Sequence, residues 1–231
     1  SIVVSDLETT GINVDTVGVC QIAAVAMIGQ GEEFSIMPLV QTYAYPSAPM
    51  EQKALETNGI GEDKYRYAPA DNVSVWLFGT LLNSLPKPVI LSGYNCFRYD
   101  YQIMDRLAPS FKLMDYPMID VITLMTREAP EHGLKLTEVF ERTFLGSDDA
   151  ATLLNSAHDA LADCHMTARV LIDWFRRYQN PDPLEVAKWC NTPQRLRCMP
   201  FGKYKGVPVD QVPKTYISWA KAKWTDMSPD L

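Results

Sequence analysis

Apolar runs separated by polar turns divide the first part of the chain into predicted strands. Ile2 to Val4 is a short apolar run typical of a buried strand, and Val19 to Ile28 is a longer run of strand-forming residues. Gly29 to Glu32 predicts a turn, and Glu33 to Val40 predicts a third strand. A β-β-β meander is the simplest arrangement of these three elements.

Helical patterns and one further strand follow the meander. Met50 to Asn58 has helical composition and ends at Gly59, while Asn72 to Leu82 is amphipathic. Val89 to Leu91 predicts a short buried strand that Ser92 and Gly93 close. We predict four more helices, over Phe97–Leu107, Ile119–Arg127, Leu134–Phe144 and His158–Tyr178. The predicted order of elements begins with strands and continues with alternating strands and helices. This order indicates an α/β layer with helices on both faces.

A proline-rich segment, Asn180 to Pro183, is the best candidate for a linker. Beyond it we predict a short helix, a basic and aromatic hairpin bracketed by glycines, and a final amphipathic helix, over Leu184–Cys190, Met199–Val209 and Thr215–Trp224. The chain is therefore expected to form a main domain over residues 1–178 and a small C-terminal module over 179–231.

Composition narrows the class of protein. A hydrophobic content of 47% with 10% aromatic residues suits a packed core and not a disordered chain. No apolar run approaches the roughly 20 residues of a membrane span, so we expect no membrane partner. The first residues lack the basic region of a signal peptide, and the five cysteines are widely spaced without a Cys-x-x-Cys pair. Reduced thiols and a cytoplasmic location are the expectation.

The net charge of −7 conceals an uneven distribution. Residues 1–173 contain 11 Lys and Arg against 23 Asp and Glu, a net charge of −12. Residues 174–231 contain 10 Lys and Arg against 5 Asp and Glu, a net charge of +5. An acidic body suits metal binding, and a basic C-terminal quarter suits a polyanion.

The first candidate site is the pair Asp6 and Glu8, next to the first predicted strand. Residues two apart in a strand share a face and lie about 7 Å from each other. Two carboxylates at that spacing repel unless a cation lies between them, and a hard divalent cation prefers oxygen ligands. The simpler interpretation is a strand exit followed by a turn over residues 9–11.

The second candidate is Asp100, in the first turn of a predicted helix that follows a short strand. The end of that strand can lie beside the end of the first strand, which would bring Asp100 to Asp6 and Glu8. Alternatively, Asp100 interacts with the dipole of its own helix.

The third candidate lies at the start of the longest helix. At about 100° per residue, His158 and Asp163 are about 140° apart, so both reach one site only if His158 lies at or before the helix start. Asp159 and Asp163 share a face, so the spacing does not decide which of them is a ligand. Asp159 is also a candidate for the helix cap, and His165 is a rival histidine.

Three motifs together resemble the DEDDh branch of the proofreading-type 3′→5′ exonucleases. They are Asp-x-Glu-Thr-Thr-Gly, Asn-x-Phe-x-x-Asp and His-x-Ala-x-x-Asp, in that order, and the resemblance covers about residues 2–178. Asn58 replaces a usual histidine of the family, and Gly61 replaces a usual threonine. Residues 201–206 and the helix after them resemble the C-terminal segment of an exodeoxyribonuclease of this family.

The resemblance implies a fold, a reaction and a set of residues. It implies an RNase H-like mixed central sheet and the release of 5′-mononucleotides from DNA 3′ ends, in single strands and in duplexes, as in DNA repair. It assigns two Mg²⁺ or Mn²⁺ ions to Asp6, Glu8, Asp100 and Asp163. His158 would be the general base, a role that suits the near-neutral titration of histidine. The residues expected near the substrate are Thr9, Thr10, Gly11, Asn95 and Phe97.

Several alternatives remain open from the sequence. One alternative is an RNA-trimming enzyme of the same family, which carries the same carboxylates and histidine. A second is a catalytically idle nucleic-acid-binding module. The simplest alternative is a purely structural α/β domain. Phe97 could stack on a base or belong to the core. Lys203, Tyr204 and Lys205 could bind a nucleic-acid backbone, or the module could cover an apolar face with Trp219 and Trp224 as its core. The oligomeric state is not predicted.

Overall fold

A five-stranded mixed sheet forms the centre of the molecule in the computed structural model. The structure describes residues 1–29, 34–128, 135–144, 146–147, 150–193, 197–199 and 202–223. The strands are β1 (Ile2–Thr9), β2 (Val19–Ile28), β3 (Ser35–Tyr43), β4 (Ile90–Gly93) and β5 (Met118–Asp120), in the spatial order β3-β2-β1-β4-β5.

Helices cover both faces of this sheet. The described α-helices are α1 (Gln52–Asn58), α2 (Glu62–Tyr65), α3 (Asp71–Ser84), α4 (Asp100–Leu107), α5 (Val121–Glu128), α6 (Leu136–Phe144), α7 (Ala150–Asn155), α8 (Ala160–Arg177), α9 (Pro183–Asn191) and α10 (Lys214–Lys223), and not all of them lie on the sheet. One apolar cluster joins α5, α6, α8 and α9 to one face, and a second joins α3 and α4 to the other. β2 is buried along almost its whole length because both of its faces are covered.

The register of the sheet places the end of β1 at its centre. β1 pairs antiparallel with β2, and β2 pairs antiparallel with β3, so the predicted meander is confirmed. β4 runs parallel to β1, with Val4 opposite Ser92, and β5 runs parallel to β4, with Gly93 opposite Asp120. The mixed sheet with helices on both sides confirms the predicted RNase H-like fold class.

Two strand predictions were wrong in extent or type. β1 continues to Thr9, so Asp6 and Glu8 lie inside the strand and not beyond it. Met118 to Asp120 form β5, whereas the sequence predicts a helix from Ile119. This short apolar run is buried beside β4, and a run of that length does not distinguish a strand from a helix by its periodicity.

Helix ends follow local chemistry. α1 ends at Gly59, which adopts a left-handed φ of 63° as the sequence predicts. α4 begins at Asp100 and not at Phe97, and α8 begins at Ala160 with Asp159 as its N-cap. The short helices α2 and α7 are absent from the sequence prediction, and of the predicted helix Leu134–Phe144 the first residue lies outside the described part.

The C-terminal quarter contains two parts. One is helix α9, which packs on the body, and the other is a small module whose described residues are 197–199 and 202–223. Val186 and Ala187 of α9 belong to the same apolar cluster as α8. In the module, Cys198 pairs with Pro208 in an antiparallel bridge, and α10 follows. Pro200, Phe201 and Trp224 of the predicted hairpin and helix lie outside the described residues. The division of the chain at residue 178 stays a prediction.

No helix in the described part of the chain is both long enough and apolar enough to cross a membrane.

Candidate active site

Carboxylates from two neighbouring elements meet at the centre of the sheet. Asp6 and Glu8 lie two residues apart on β1, opposite Ala23 and Gln21 of β2, and both are partly buried. The loop after β4 brings Asp100 to the same strand, because the backbone N–H of Leu7 donates a hydrogen bond to Asp100 Oδ1 at 3.1 Å. Asp100 is 4% exposed. The parallel pairing of β4 with β1 therefore places Asp100 beside the first carboxylate pair.

The start of α8 adds a histidine and a fourth carboxylate. His158 lies outside the helix with a φ of 70°, and its backbone N–H donates to Asp163 Oδ1 at 3.4 Å. One ligand atom from each of Glu8, His158 and Asp163 lies within 4.8 Å of the others. The structure thus meets the condition that the helical spacing set, namely that His158 precedes the helix.

Asp159 has a different set of contacts from Asp163. Its Oδ1 accepts hydrogen bonds from the N–H groups of Leu161 and Ala162, at 3.1 and 3.3 Å, which caps α8. Its Oδ2 accepts a hydrogen bond from Gln21 Nε2 at 3.0 Å. Both oxygens of Asp159 are engaged, so the geometry favours Asp163 as the member of the carboxylate cluster.

The pKa values of these carboxyl groups are raised. Burial, together with the charges of Asp100 and Asp163, holds the pKa of Asp6 well above its usual range. Burial and then Asp163 raise the pKa of Glu8 to about 8, and burial raises the pKa of Asp100 to about 7. Burial raises the pKa of Asp163 to about 6, although His158 opposes that shift. Four carboxylates in one low-dielectric site therefore repel one another when all are ionised.

The same arrangement fits a divalent cation. Within the described part of the chain, no Lys or Arg forms an ion pair with any of the four carboxylates. Carboxylate oxygens are the ligands that Mg²⁺ and Mn²⁺ prefer, and a bound cation favours the ionised form of each carboxyl. The donor set therefore suits a hard divalent cation.

Hydrogen bonds from the Tyr99 side chain and the Gly18 backbone hold the turn after β1. Thr9 Oγ1 lies 2.7 Å from the hydroxyl of Tyr99, and that hydroxyl donates to the carbonyl of Gly11. The N–H of Gly18 donates to Thr10 Oγ1 at 3.0 Å. A Cβ on Gly11 would lie 2.1 Å from Glu51 Oε1, so a side chain at this position would displace the end of the flexible Glu51 side chain. The predicted substrate residues Thr9, Thr10 and Gly11 thus form a hydrogen-bonded turn beside Glu8.

Asp120 organises the loop that carries the other two predicted substrate residues. Its carboxylate accepts hydrogen bonds from the N–H groups of Asn95, Phe97 and Ile122, at 2.9, 3.3 and 3.3 Å. Asn95 adopts a left-handed φ of 62°. The Phe97 side chain is 41% exposed, so it is presented to solvent and does not belong to the core.

Three residues near the carboxylates are absent from the sequence prediction of the site. The side chain of Asn58 lies close enough to Glu8 to lower the pKa of that carboxyl, and Asn58 Nδ2 donates a hydrogen bond to the carbonyl of Thr9 at 3.3 Å. In the sequence, Asn58 stands out only as a departure from the family pattern. Tyr99 and Glu51 support the turn, and no sequence signal distinguishes them from ordinary surface residues.

The predicted substrate residues of the C-terminal module contact other residues of that module. Lys203 Nζ lies 5.5 Å from the centre of the Tyr204 ring, and the backbone N–H of Lys203 donates to the hydroxyl of Tyr216. Tyr204 packs edge-on against Tyr216 at 4.6 Å. Lys205 is exposed. The described contacts do not bring these residues to the carboxylate cluster.

Comparison with known protein families identifies the class of this chain. The sequence profile of a family described as "Exonuclease" matches residues 3–171, and the chain belongs to that family. A second profile, described as "Putative quorum-sensing-regulated virulence factor", matches residues 195–225. Comparison with curated proteins gives no significant match.

Solved exonuclease structures share the fold. The chain is 21% identical to Exonuclease X in complex with 5′ overhanging duplex DNA, at a TM-score of 0.58 over 80% of this chain and 99% of that one. It is 19% identical to E. coli Exonuclease I in complex with a dT13 oligonucleotide, at a TM-score of 0.60 over 76% of this chain. The match spans only 41% of that Exonuclease I chain. At these identities the likeness shows the fold alone.

Proposed function

We propose that the chain is a divalent-metal-dependent 3′→5′ exonuclease that releases 5′-mononucleotides from DNA 3′ ends. The observation that carries the proposal is the convergence of Asp6, Glu8, Asp100 and Asp163, with His158 at their edge, in a chain of the exonuclease family. The predicted ligands come from β1, the start of α4 and the first turn of α8.

The four carboxylates would hold two Mg²⁺ or Mn²⁺ ions. Bound there, the ions would supply Lewis-acid chemistry, lowering the pKa of a water and stabilising charge on the phosphodiester. The protein's part is to hold the carboxylates in position. The N–H of Leu7 orients Asp100, and the N–H of His158 orients Asp163.

His158 is the proposed general base. Its position outside α8 leaves the imidazole exposed, whereas its ligand atom still lies within 4.8 Å of those of Glu8 and Asp163. There it can accept the proton of a water that attacks the phosphorus. His165 is half-buried within α8, and burial followed by the charge of Arg169 lowers its pKa. The geometry therefore favours His158 over His165.

The terminal nucleotide is proposed to lie against the turn of Thr9, Thr10 and Gly11. The exposed ring of Phe97 is available for stacking on a base, a contact worth roughly 1–3 kcal/mol where it occurs. We propose DNA rather than RNA as the substrate because the two structural neighbours named above were solved with DNA. The basic C-terminal module suits the backbone of either nucleic acid.

The test is to incubate the protein with end-labelled single-stranded DNA and RNA of the same sequence, with Mg²⁺. We expect mononucleotides from DNA at a higher rate than from RNA. Faster release from RNA would assign the chain to RNA trimming, and release from neither strand would reject the exonuclease proposal.

A further inference from the structure

Gln21 is a buried amide in a strand that is otherwise built of apolar side chains and one cysteine. β2 has the sequence Val-Cys-Gln-Ile-Ala-Ala-Val-Ala-Met-Ile, and Gln21 is 1% exposed. A buried amide destabilises the fold unless it forms hydrogen bonds. The apolar pattern of β2 gives no reason for an amide at this position, so its role lies in the groups that it contacts.

Both ends of the Gln21 amide contact the start of α8. Its Nε2 donates a hydrogen bond to Asp159 Oδ2 at 3.0 Å, and its Oε1 accepts one from the backbone N–H of Ala160 at 3.2 Å. One end of the amide faces an acceptor and the other faces a donor, so only one orientation of the amide satisfies both partners. The side chain is therefore a bridge between β2 and the first residues of α8.

This bridge lies beside the carboxylate cluster. Gln21 is opposite Glu8 in the antiparallel pair of β1 and β2, and opposite residues share a face of the sheet with Cβ atoms about 4.5–5.5 Å apart. His158 directly precedes Asp159, and Asp163 lies one turn beyond it. The ligand atoms of His158 and Asp163 lie within 4.8 Å of that of Glu8. The position of α8 on the sheet thus fixes the distance between the ligands on the helix and the ligand on β1.

α8 makes a further contact with β2 one turn along the helix. Cys164 Sγ donates a weak hydrogen bond to the carbonyl of Ala23 at 3.4 Å. Ala23 is two residues beyond Gln21 and Cys164 is four residues beyond Ala160, so α8 follows one face of the strand. Among the hydrogen bonds that the described residues form between β2 and α8, those of Gln21 lie closest along the chain to His158.

We propose that Gln21 is a positioning residue that holds the start of α8 on the sheet and so sets the distance of His158 and Asp163 from Glu8. The inference rests on the proposed function, since it assigns Gln21 a part in building the metal site. Gln21 itself is buried and contacts neither substrate nor metal. It acts through the two residues that it binds at the start of the helix.

Calorimetric titration with Mn²⁺, without DNA, tests this role directly. Gln21→Met keeps the length of the side chain and removes both hydrogen bonds. We expect it to weaken Mn²⁺ binding about tenfold and to lower kcat about 10–100-fold at saturating metal, as is usual when the groups that orient metal ligands are lost. The KM for DNA should stay close to the wild-type value. Gln21→Asn, whose amide is too short to reach both partners, should act in the same direction and guards against a folding defect of the methionine variant.

Two controls separate positioning from general effects. Gln41→Met makes the same change on β3, where an exposed amide donates to both oxygens of Asp159 at 3.4 Å, and should leave Mn²⁺ affinity and kcat within about twofold of wild type. Asp182→Ala removes the N-cap contact with Leu184 in α9 and should lower the melting temperature without weakening Mn²⁺ binding. A loss in either control equal to that of Gln21→Met would overturn the proposal. So would wild-type Mn²⁺ affinity and kcat in both Gln21→Met and Gln21→Asn.

A double variant, Gln21→Glu with Asp159→Asn, tests whether the hydrogen bonds carry the effect. It keeps the net charge and reverses the polarity of one bond, because the new amide at 159 donates to the new carboxylate at 21. The N–H of Ala160 still has an oxygen to bind, and asparagine is as good an N-cap as aspartate. We expect Mn²⁺ affinity and kcat within about threefold of wild type, since the two changes compensate each other. A double variant as impaired as Gln21→Met would mean that packing and not hydrogen bonding is required, which overturns the proposal.

The two readouts separate this inference from the proposed function. A wild-type protein whose Mn²⁺ affinity depends on Gln21, but which releases no mononucleotide, would reject the exonuclease function and leave the positioning role in place. A wild-type protein that releases mononucleotides, with Gln21→Met equal to it in Mn²⁺ affinity and kcat, would reject the positioning role alone.

Discussion

The backbone N–H of His158 donates a hydrogen bond to Oδ1 of Asp163 at 3.4 Å, across the first turn of α8. This contact exists because His158 precedes the helix, with a φ of 70° and with Asp159 as the N-cap. Inside a helix, residues five apart would point about 140° away from each other. The left-handed residue and the cap together bring an imidazole and a carboxylate to one site.

Replacing His158 by asparagine should remove the base while keeping the backbone. Asparagine tolerates a positive φ, so the melting temperature should stay close to wild type. We expect kcat at neutral pH to fall by about 10²–10⁴-fold, the usual contribution of a general base, and partial recovery at higher pH, where hydroxide replaces it. Calorimetric titration with Mn²⁺ should give nearly unchanged affinity. Normal turnover in this variant, with a loss in His165→Asn instead, would assign the role to His165.

Asp159 and Asp163 form a matched pair for mutation. Asp163→Ala should abolish turnover and leave the metal-free protein as stable as wild type or more so, because one repelling carboxylate is gone. Asp159→Ala should keep turnover but reduce stability by about 0.5–2 kcal/mol, since a helix cap is removed. In thermal melts, that is about 2–4 °C for each kcal/mol. Inactivity of Asp159→Ala with activity of Asp163→Ala would contradict the assignment.

The stability of the metal-free protein should fall as pH rises. The pKa values of Glu8, Asp100 and Asp163 in the folded state, about 8, 7 and 6, exceed the usual carboxyl values near 4. Between about pH 4 and about pH 8 the folded protein binds more protons than the unfolded chain. The free energy of unfolding therefore falls as pH rises through that range. Thermal melts in EDTA should therefore give a higher melting temperature at pH 5.5 than at pH 8.5.

Mg²⁺ should reduce this pH dependence, because a cation that binds only the folded site stabilises it more as the carboxyls ionise. Asp100→Asn should also flatten the EDTA profile, since it removes one of the groups that titrate. A melting temperature that rises with pH in EDTA would show that the carboxylates are not held in a repelling cluster.

The C-terminal module offers a prediction about long substrates. Lys203→Glu combined with Lys205→Glu should weaken binding to DNA of about 30 nucleotides and reduce the salt slope by about 1 for each lysine that binds a phosphate in the wild-type protein. The rings of Tyr204, Tyr216 and Trp219 contact one another in sequence beside these lysines, and Trp219 is 49% exposed, which suits contact with bases. Hydrolysis of a dinucleotide should change little. A lower melting temperature, or equal weakening on short and long DNA, would mean that the segment is structural.

The sequence predicted the members of the carboxylate cluster better than the structure around them. Asp6 and Glu8 share a face at any position in a strand, so their pairing did not depend on where β1 ends. The choice between Asp159 and Asp163 needed the structure, because the two share a helix face. Asp159 is separated from Asp163 by its contacts with Gln21 and with its own helix, and Asp163 is the one whose ligand atom lies near those of Glu8 and His158.

Contacts between distant elements set the limit of sequence prediction here. Asp120 holds the loop of Asn95 and Phe97 from a strand that the sequence predicts as helix, and Asn58 of α1 donates a hydrogen bond to the carbonyl of Thr9 on β1. Such contacts follow from the order of strands in the sheet and from the parallel pairing of β4. Local periodicity carries no information about either.

The most direct test of the metal-dependent exonuclease site uses one DNA strand labelled at its 5′ end in one sample and at its 3′-terminal nucleotide in the other. With Mg²⁺, the 3′ label should appear at once as a mononucleotide, and the 5′ label should pass through a ladder of shortened strands. EDTA or Asp6→Asn should stop both. Release of the 5′ label first, or undiminished release in EDTA, would contradict the account.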